Sequence, residues 1–329
     1  MTKYSVLDLS PITEGSSVRQ SLDNTLDLAQ HAERWEYHRY WLAEHHNFQG
    51  IASAATAVVI GHVAAGTTSI QVGAGGIMLP NHAPLQIAEQ FGTLEALYPG
   101  RIDLGLGRAP GTDMVTVNAL RRNLDADVNQ FPRDVVEVLR YLDEPEPGQA
   151  IVATPGAGSQ VPVWILGSSL FGAQLAASLG LPYAFASHFA PAQMQEAIEL
   201  YRHRFTPSRF LDKPYVMLGF NVIAADTTDA AEYLASSVQR GFVNLRRGTP
   251  GKLQAPCDNY LDDLSTSDRA LLAQIMVCSA VGDERVVADK LERFIEQTQA
   301  DEIMVAAQIY SHSARIRSYE ILARAVGLV

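Results

Sequence analysis

Short apolar runs alternate with longer amphipathic stretches along almost the whole chain. Runs rich in Val, Ile, Leu and aromatic residues occupy positions 4–9, 40–43, 70–77, 102–106, 163–166, 183–186, 216–223 and 302–306. Runs this short, without polar alternation, predict strands buried on both faces. Between them the period changes. Val18, Leu22, Leu26, Ala29 and Ala32 recur at spacings of three and four, which predicts a helix over 18–35. A second helix opens at Pro84, carries Ile87, Phe91, Leu94 and Leu97, and stops at Pro99-Gly100. The stretch 52–65, broken only by small or polar residues such as Thr56, Gly61 and His62, predicts a buried helix. Further helices are expected over 171–179, ending at Gly180, and over 313–326.

Eight strand units with helices between them predict an α/β fold, a single (β/α)8 TIM barrel spanning 1–329. A doubly wound open sheet is the alternative, because periodicity does not report closure. Two regions break the alternation: 109–160, with "EPEPGQ" and "TPGAGSQ", and 241–279, with "RRGTPGKLQAPCDN". They are expected to be excursions after strands 4 and 7, either lids or disordered segments. Asn81-His82 is expected to start the helix after the third strand through an N-cap, without a chemical role.

Composition narrows the function. The chain has 329 residues, 47% hydrophobic and 19% charged, enough for a large core without staples. Cys257 and Cys278 make no disulfide framework, so a reducing cytosol is the expected setting. A net charge of −11, with no basic block beyond Arg121-Arg122 and Arg246-Arg247, argues against nucleic acid as a partner. The N-terminal "MTKYSVLDLSP" is too short and polar for a signal peptide, and no segment suits a membrane span. A cytoplasmic enzyme is expected.

In a barrel, chemistry gathers at the carboxyl ends of the strands. The second strand ends in Glu44-His45-His46, the third in Gly73-Ala74-Gly75-Gly76, the fourth in Gly105-Leu106-Gly107-Arg108. The fifth ends in Gly167-Ser168-Ser169, the sixth in Ser187-His188, the seventh near Asn221 and the eighth near Gln308. This set suits a sizeable, partly anionic ligand. Gly167-Ser168-Ser169-Leu170-Phe171-Gly172 joins a strand to a helix, so free N–H groups and two hydroxyls converge on one point. That is either a phosphate site, with Arg108 beside it, or a plain serine N-cap. The glycines of the third strand mark either crowded packing or a flat ring against the backbone. Adjacent histidines on an extended chain face opposite ways, which makes a poor chelate, so no metal is expected. One imidazole is placed to handle protons in the mouth while the other packs outward, unless the pair is merely structural.

Three stretches, "AEHHNFQG", "VGAGGIMLPNHAPLQIAEQFGTLEALYPGRIDLGLGRAPGTD" and "WILGSSLFGAQLAASLGLPYAFASHFAP", resemble the bacterial luciferase-like flavin-dependent monooxygenase family, and in particular its small single-component members. The resemblance implies a barrel that binds reduced FMN and uses O2 on a small organic substrate. The family's catalytic His maps onto His45, with Glu44 beside it, and its cis peptide beneath the flavin ring onto Gly75-Gly76. Its phosphate contacts map onto Ser168, Ser169, Leu170 and Gly172, with Arg108 near, and His188 is placed on the flavin side. Luciferase has a reactive cysteine where this chain has Gly107, and a Glu-Ser phosphate loop where this chain has Ser168-Ser169. Those departures weaken the case for light emission and an aldehyde substrate and leave flavin binding untouched. The resemblance further implies a homodimer, and the lack of a dinucleotide-binding unit implies a separate flavin reductase. The rival readings are deazaflavin-dependent hydride transfer, a non-catalytic flavin-binding protein and a metal-dependent hydrolase.

Overall fold

The computed structural model describes residues 2–108, 114–120 and 130–329. Parts of the first expected excursion, together with Asp113 and the Arg121-Arg122 pair, lie outside the described residues. The strands are β1 (Lys3–Asp8), β2 (Arg39–Leu42), β3 (Gln71–Met78), β4 (Ile102–Gly107), β5 (Val163–Gly167), β6 (Tyr183–Phe185), β7 (Val216–Ala224), β8 (Ser279–Gly282) and β9 (Glu302–Ala306). All their pairings are parallel. The ladder runs β6-β5-β4-β3-β2-β1-β9-β7, and β6 pairs with β7, so the sheet closes into an eight-stranded barrel. The open-sheet alternative is thereby excluded.

The helices are α1 (Val18–Arg34), α2 (Thr56–Ala65), α3 (Pro84–Leu97), α4 (Met114–Leu120), α5 (Phe131–Leu142), α6 (Leu170–Leu179), α7 (Met194–Arg204), α8 (Thr228–Arg246), α9 (Thr266–Ile275), α10 (Glu284–Thr298) and α11 (His312–Ala325). Their ends follow local chemistry. Ser17 caps α1 by accepting from the Gln20 amide, Pro84 opens α3, and Gly180 ends α6 in the left-handed conformation at φ 62°.

Two cores result. One lies between barrel and helices and includes Leu28, Ile60, Phe91, Tyr183, Tyr201 and Leu322. The other fills the barrel with Leu7, Trp41, Trp164, Ala184, Met217 and Met304. Below it, at the amino ends of the strands, Arg39 bonds to Glu302 (Nε–Oε1 2.8 Å) and Gln71 and pairs with Asp103. Gly73 belongs to this packing: a Cβ there would sit 2.6 Å from Asp103 Cβ and 2.8 Å from Trp41 Nε1. Its absence lets the Trp41 indole donate to Asp103 Oδ2 at 3.0 Å. For Gly73, crowded packing is the explanation.

Three expectations need correction. The sheet has a ninth strand, β8, which begins at the last residue of the expected second excursion; it pairs Ser279–Gly282 with the overhanging end of β7, Asn221–Ala224. Four residues, Ser-Ala-Val-Gly, carry too little pattern to declare a strand, and α8 likewise runs on to Arg246. The buried helix begins at Thr56 rather than at position 52. Finally, Asn81 closes a 3-10 turn and α3 is capped at Ala83 without a side-chain bond, which frees His82 for another task.

Candidate functional site

Because all strands are parallel and the barrel is closed, their carboxyl ends share one mouth. Gly75-Gly76, at the β3 end, is a cis peptide bond and coincides with a register shift between β3 and β4. A Cβ at Gly76 would lie 2.7 Å from Gly105 O and 3.2 Å from a Leu166 methyl, so this backbone sits directly against the ends of β4 and β5.

The β5–α6 junction adds a cradle of free donor groups. Ser169 occupies the N-cap of α6 in an extended conformation, yet its side chain makes no capping bond. Its hydroxyl and the first N–H groups of α6, from Leu170 onward, face the same end of the helix dipole. Ser168 is exposed beside it. Gly172 is buried, where a Cβ would meet Tyr183 at 3.4 Å, so its smallness serves close helix–strand packing. Arg108, one residue past β4, stacks on Phe171 with its guanidinium carbon 4.1 Å from the ring centre. The structure thus brings Arg108 and the Ser169 cradle together, as the sequence predicts.

Two imidazoles complete the mouth. The His45 backbone N–H is bonded to Ser53 O at 3.1 Å, and its ring stands edge-on to Phe48 at 6.1 Å. His188 fits only because β7 carries Gly219, where a Cβ would lie 2.0 Å from His188 Nδ1. Its loop is stapled to β7 by Asn221 Nδ2 donating to His188 O at 2.7 Å and by Ser187 Oγ donating to Gly219 O at 2.6 Å. The Nδ1 atoms of both rings are buried without a hydrogen-bond partner. Burial pushes each pKa down to about 4; at His45 the Glu44 carboxylate opposes the shift without cancelling it and His46 adds to it, while at His188 the neighbouring His45 adds to it. Both rings are neutral near pH 7.

That neutrality has a consequence for stability. In the unfolded chain these histidines bind protons near pH 6.5, whereas in the fold they resist protonation until about pH 4. Their contribution is complete above pH 6.5 and fades as pH falls toward 4. Urea midpoints should therefore drop across that window, and a His45→Asn, His188→Asn variant should show a shallower drop. Glu33 is held at about 2 by amides of Thr68, Ser69 and Ile70 against the opposing effect of burial, so its contribution is complete above its ordinary value of 4.5 and is lost only as pH falls from there toward 2.

Glu44 and His46 depart from the expected picture. The strand stops at Leu42, so alternation no longer governs the residues beyond it, and His46 does not turn outward. Its Nε2 contacts Glu44 Oε1 at 2.6 Å, and His82 Nε2 reaches the same oxygen at 2.8 Å. The Met78 N–H donates to Glu44 Oε2 at 3.1 Å. Burial alone would raise the Glu44 pKa; the bonds from His82, His46 and Met78 outweigh it and hold the carboxylate below its usual range. Sequence spacing offers no hint of His82, because it lies 38 positions from Glu44.

Both excursions reach this mouth. Asn47 Nδ2 donates to Thr116 Oγ1 on α4 at 2.9 Å. Leu253, in the second excursion, exchanges backbone bonds with the loop after β1: its N–H donates to Ile12 O, and its carbonyl accepts from Glu14 N–H, each at 2.9 Å.

Comparison with known proteins agrees with this architecture. A luciferase-like monooxygenase of Escherichia coli strain K12 is 54% identical over 318 residues, covering 97% of this chain and 95% of the relative. The N-acetyl-S-alkylcysteine monooxygenase of Bacillus subtilis is 30% identical over 334 residues, covering 99% and 98%. The crystal structure of apo-MsnO8 superposes with a TM-score of 0.92 at 33% identity, covering 100% of this chain and 99% of that one. Two more distant structures share the fold. The oxygenating constituent of 3,6-diketocamphane monooxygenase from Pseudomonas putida, a complex with FMN, has TM-score 0.72 at 18% identity, covering 98% and 97%. An F420-dependent secondary alcohol dehydrogenase has TM-score 0.71 at 15% identity, covering 99% of each. Residues 2–302 match the family model described as luciferase-like monooxygenase, and the chain belongs to that family.

Proposed function

We propose that this protein is an FMN-dependent monooxygenase that uses reduced FMN and O2 on a small organic substrate. The observation that carries the reading is the uncapped Ser169 at the start of α6, with Arg108 stacked beside it on Phe171. A helix N-terminus with a free hydroxyl and a neighbouring guanidinium suits a phosphate monoester. The residues around it fit the rest of the group: a backbone at Gly75-Gly76 without side chains, and the buried Nδ1 of His188 in want of a partner. Reduced flavin supplies the activation of oxygen when bound.

The chain's own residues then have distinct tasks. Ser169, the α6 amides and Arg108 would hold the phosphate. The β3 backbone would support the ring, with His188 also lining the mouth. His45, neutral and buried, takes up or returns one proton at its ring during turnover. The segments around Thr116 and Leu253, both buried, close over the mouth and keep water out. The reading includes a homodimer, which rests on the family resemblance alone. Among the described residues no helix is long and apolar enough to cross a membrane. The reading includes a cytoplasmic enzyme supplied with reduced FMN by a separate reductase.

Anaerobic titration tests it. Reduced FMN should bind at least tenfold more tightly than reduced riboflavin, which lacks the phosphate. A Ser169→Ala, Arg108→Leu variant should lose most of that preference. Oxygen uptake with reduced FMN should follow. Equal binding of FMN and riboflavin, or turnover only with a reduced deazaflavin and no oxygen uptake, would overturn the reading.

A further inference from the structure

The ladder between β2 and β3 ends at Leu42–Ala74, while β3 runs on to Met78 against β4 alone, past the register shift. On the β2 side, the extension of β3 therefore has no strand to bond. Glu44 fills the gap. Its side chain is 1% exposed, and its Oε2 accepts the Met78 N–H in place of a strand carbonyl. Met78 in turn pairs with Gly107, the neighbour of Arg108. The other oxygen of Glu44 receives His46 from its own loop and His82 from the segment that leads into α3. One carboxylate thus ties together the end of β2, the end of β3 and the start of the α3 segment.

The three side chains also present the donor set of a metal site, with one ligand atom each within 4.8 Å of the others. As placed, the contacts are hydrogen bonds and not a coordination sphere. Metal–ligand bonds of about 2.0–2.2 Å in tetrahedral geometry keep ligand atoms roughly 3.3 Å apart. The two imidazole contacts, at 2.6 and 2.8 Å, fall in the range of charge-assisted hydrogen bonds to one carboxylate oxygen.

We propose that His82, with His46, is a positioning residue of the flavin site: the two imidazoles fix the Glu44 carboxylate, which holds Met78 and so sets where the β3 platform stands. The part of this inference that concerns flavin rests on the function proposed above. The strut itself is a property of the protein alone, which lets the two be tested apart.

The experiment compares the full-length wild type with His82→Phe, His82→Gln and His46→Phe. Two quantities are read: exchange of the Met78 amide by NMR without flavin, and the affinity and absorption spectrum of bound FMN. In His82→Phe the Met78 amide should exchange at least tenfold faster, FMN should bind about tenfold more weakly, and the flavin band should shift. Glutamine keeps an N–H donor near the place of Nε2, so His82→Gln should return all three to near wild type, while His46→Phe should repeat the loss in milder form. A general loss of folding would accelerate exchange throughout the barrel, and the glutamine variant guards against that reading. Unchanged Met78 exchange in His82→Phe would overturn the strut, as would stoichiometric zinc in the purified wild type with no rescue by glutamine. Wild-type protein that takes up no FMN would instead overturn the function reading and leave the exchange result to judge the strut.

Discussion

Replacing His45 by alanine should lower turnover by roughly 10²–10⁴-fold, the usual loss when a positioned acid–base group is removed, while FMN affinity stays within about twofold. The separation of the two effects comes from the architecture. His45 stands just past β2, whereas the proposed phosphate cradle is built from the ends of β4 and β5 and the start of α6. Its backbone anchor to Ser53 and its ring contact with Phe48 are local, so truncation leaves the cradle in place. Burial makes the imidazole a neutral acceptor, and that state persists down to about pH 4. The acidic limb of the activity profile should accordingly fall near that value and not near the ordinary histidine value. Steady-state rates with reduced FMN, measured beside a fluorescence titration of FMN, give both numbers. Undiminished turnover would remove His45 from the chemistry; a parallel loss of FMN binding would make it a binding residue.

The barrel was legible because burial on both faces leaves a strong mark. A strand lined by side chains inside the barrel and by helices outside is predominantly apolar, and the eight barrel strands carry such runs, with buried charges only at points such as Asp8, Arg39, Asp103 and Glu302. Helix ends were legible where a single residue decides them, as at Pro84 and Gly180. What escaped depends on distant partners. The four residues of β8 become a strand only because β7 overhangs the barrel and offers them an edge. The candidate site divides the same way. Arg108 and Ser169 could be paired from sequence because closure forces neighbouring strand ends together. The role of Glu44 could not be read, since it depends on β2 stopping at Leu42 and on a 3-10 turn that swings His82 back over the mouth. Its two oxygens serve His46, His82 and Met78, and make no bond to His45 among the described residues.

The floor of the barrel should dominate stability. Arg39, Asp103 and Glu302 are 6%, 1% and 0% exposed, and the guanidinium also lies 4.9 Å from the Trp164 ring centre. One cation therefore compensates two buried carboxylates, with Gln71 and Tyr215 as further partners through bonds of 2.8 Å. Arg39→Met keeps most of the volume and removes the charge. It leaves two acids within the barrel with no countercharge, and breaking a buried pair in this way typically costs about 3–5 kcal/mol. The acids can escape only by binding protons, so the deficit should be largest near neutral pH and shrink as pH falls. Adding Asp103→Asn and Glu302→Gln to Arg39→Met should recover much of the loss, because the penalty belongs to the stranded charges and not to the missing arginine stem. Urea unfolding of the single and triple variants at pH 7 and pH 5 measures both effects. A deficit under about 1 kcal/mol for Arg39→Met at pH 7 would show that water or rearrangement already serves those carboxylates, and the floor would then be a solvated polar layer. Since this layer lies at the amino ends of the strands and the proposed flavin site at the carboxyl ends, FMN affinity of the folded single variant should stay close to wild type.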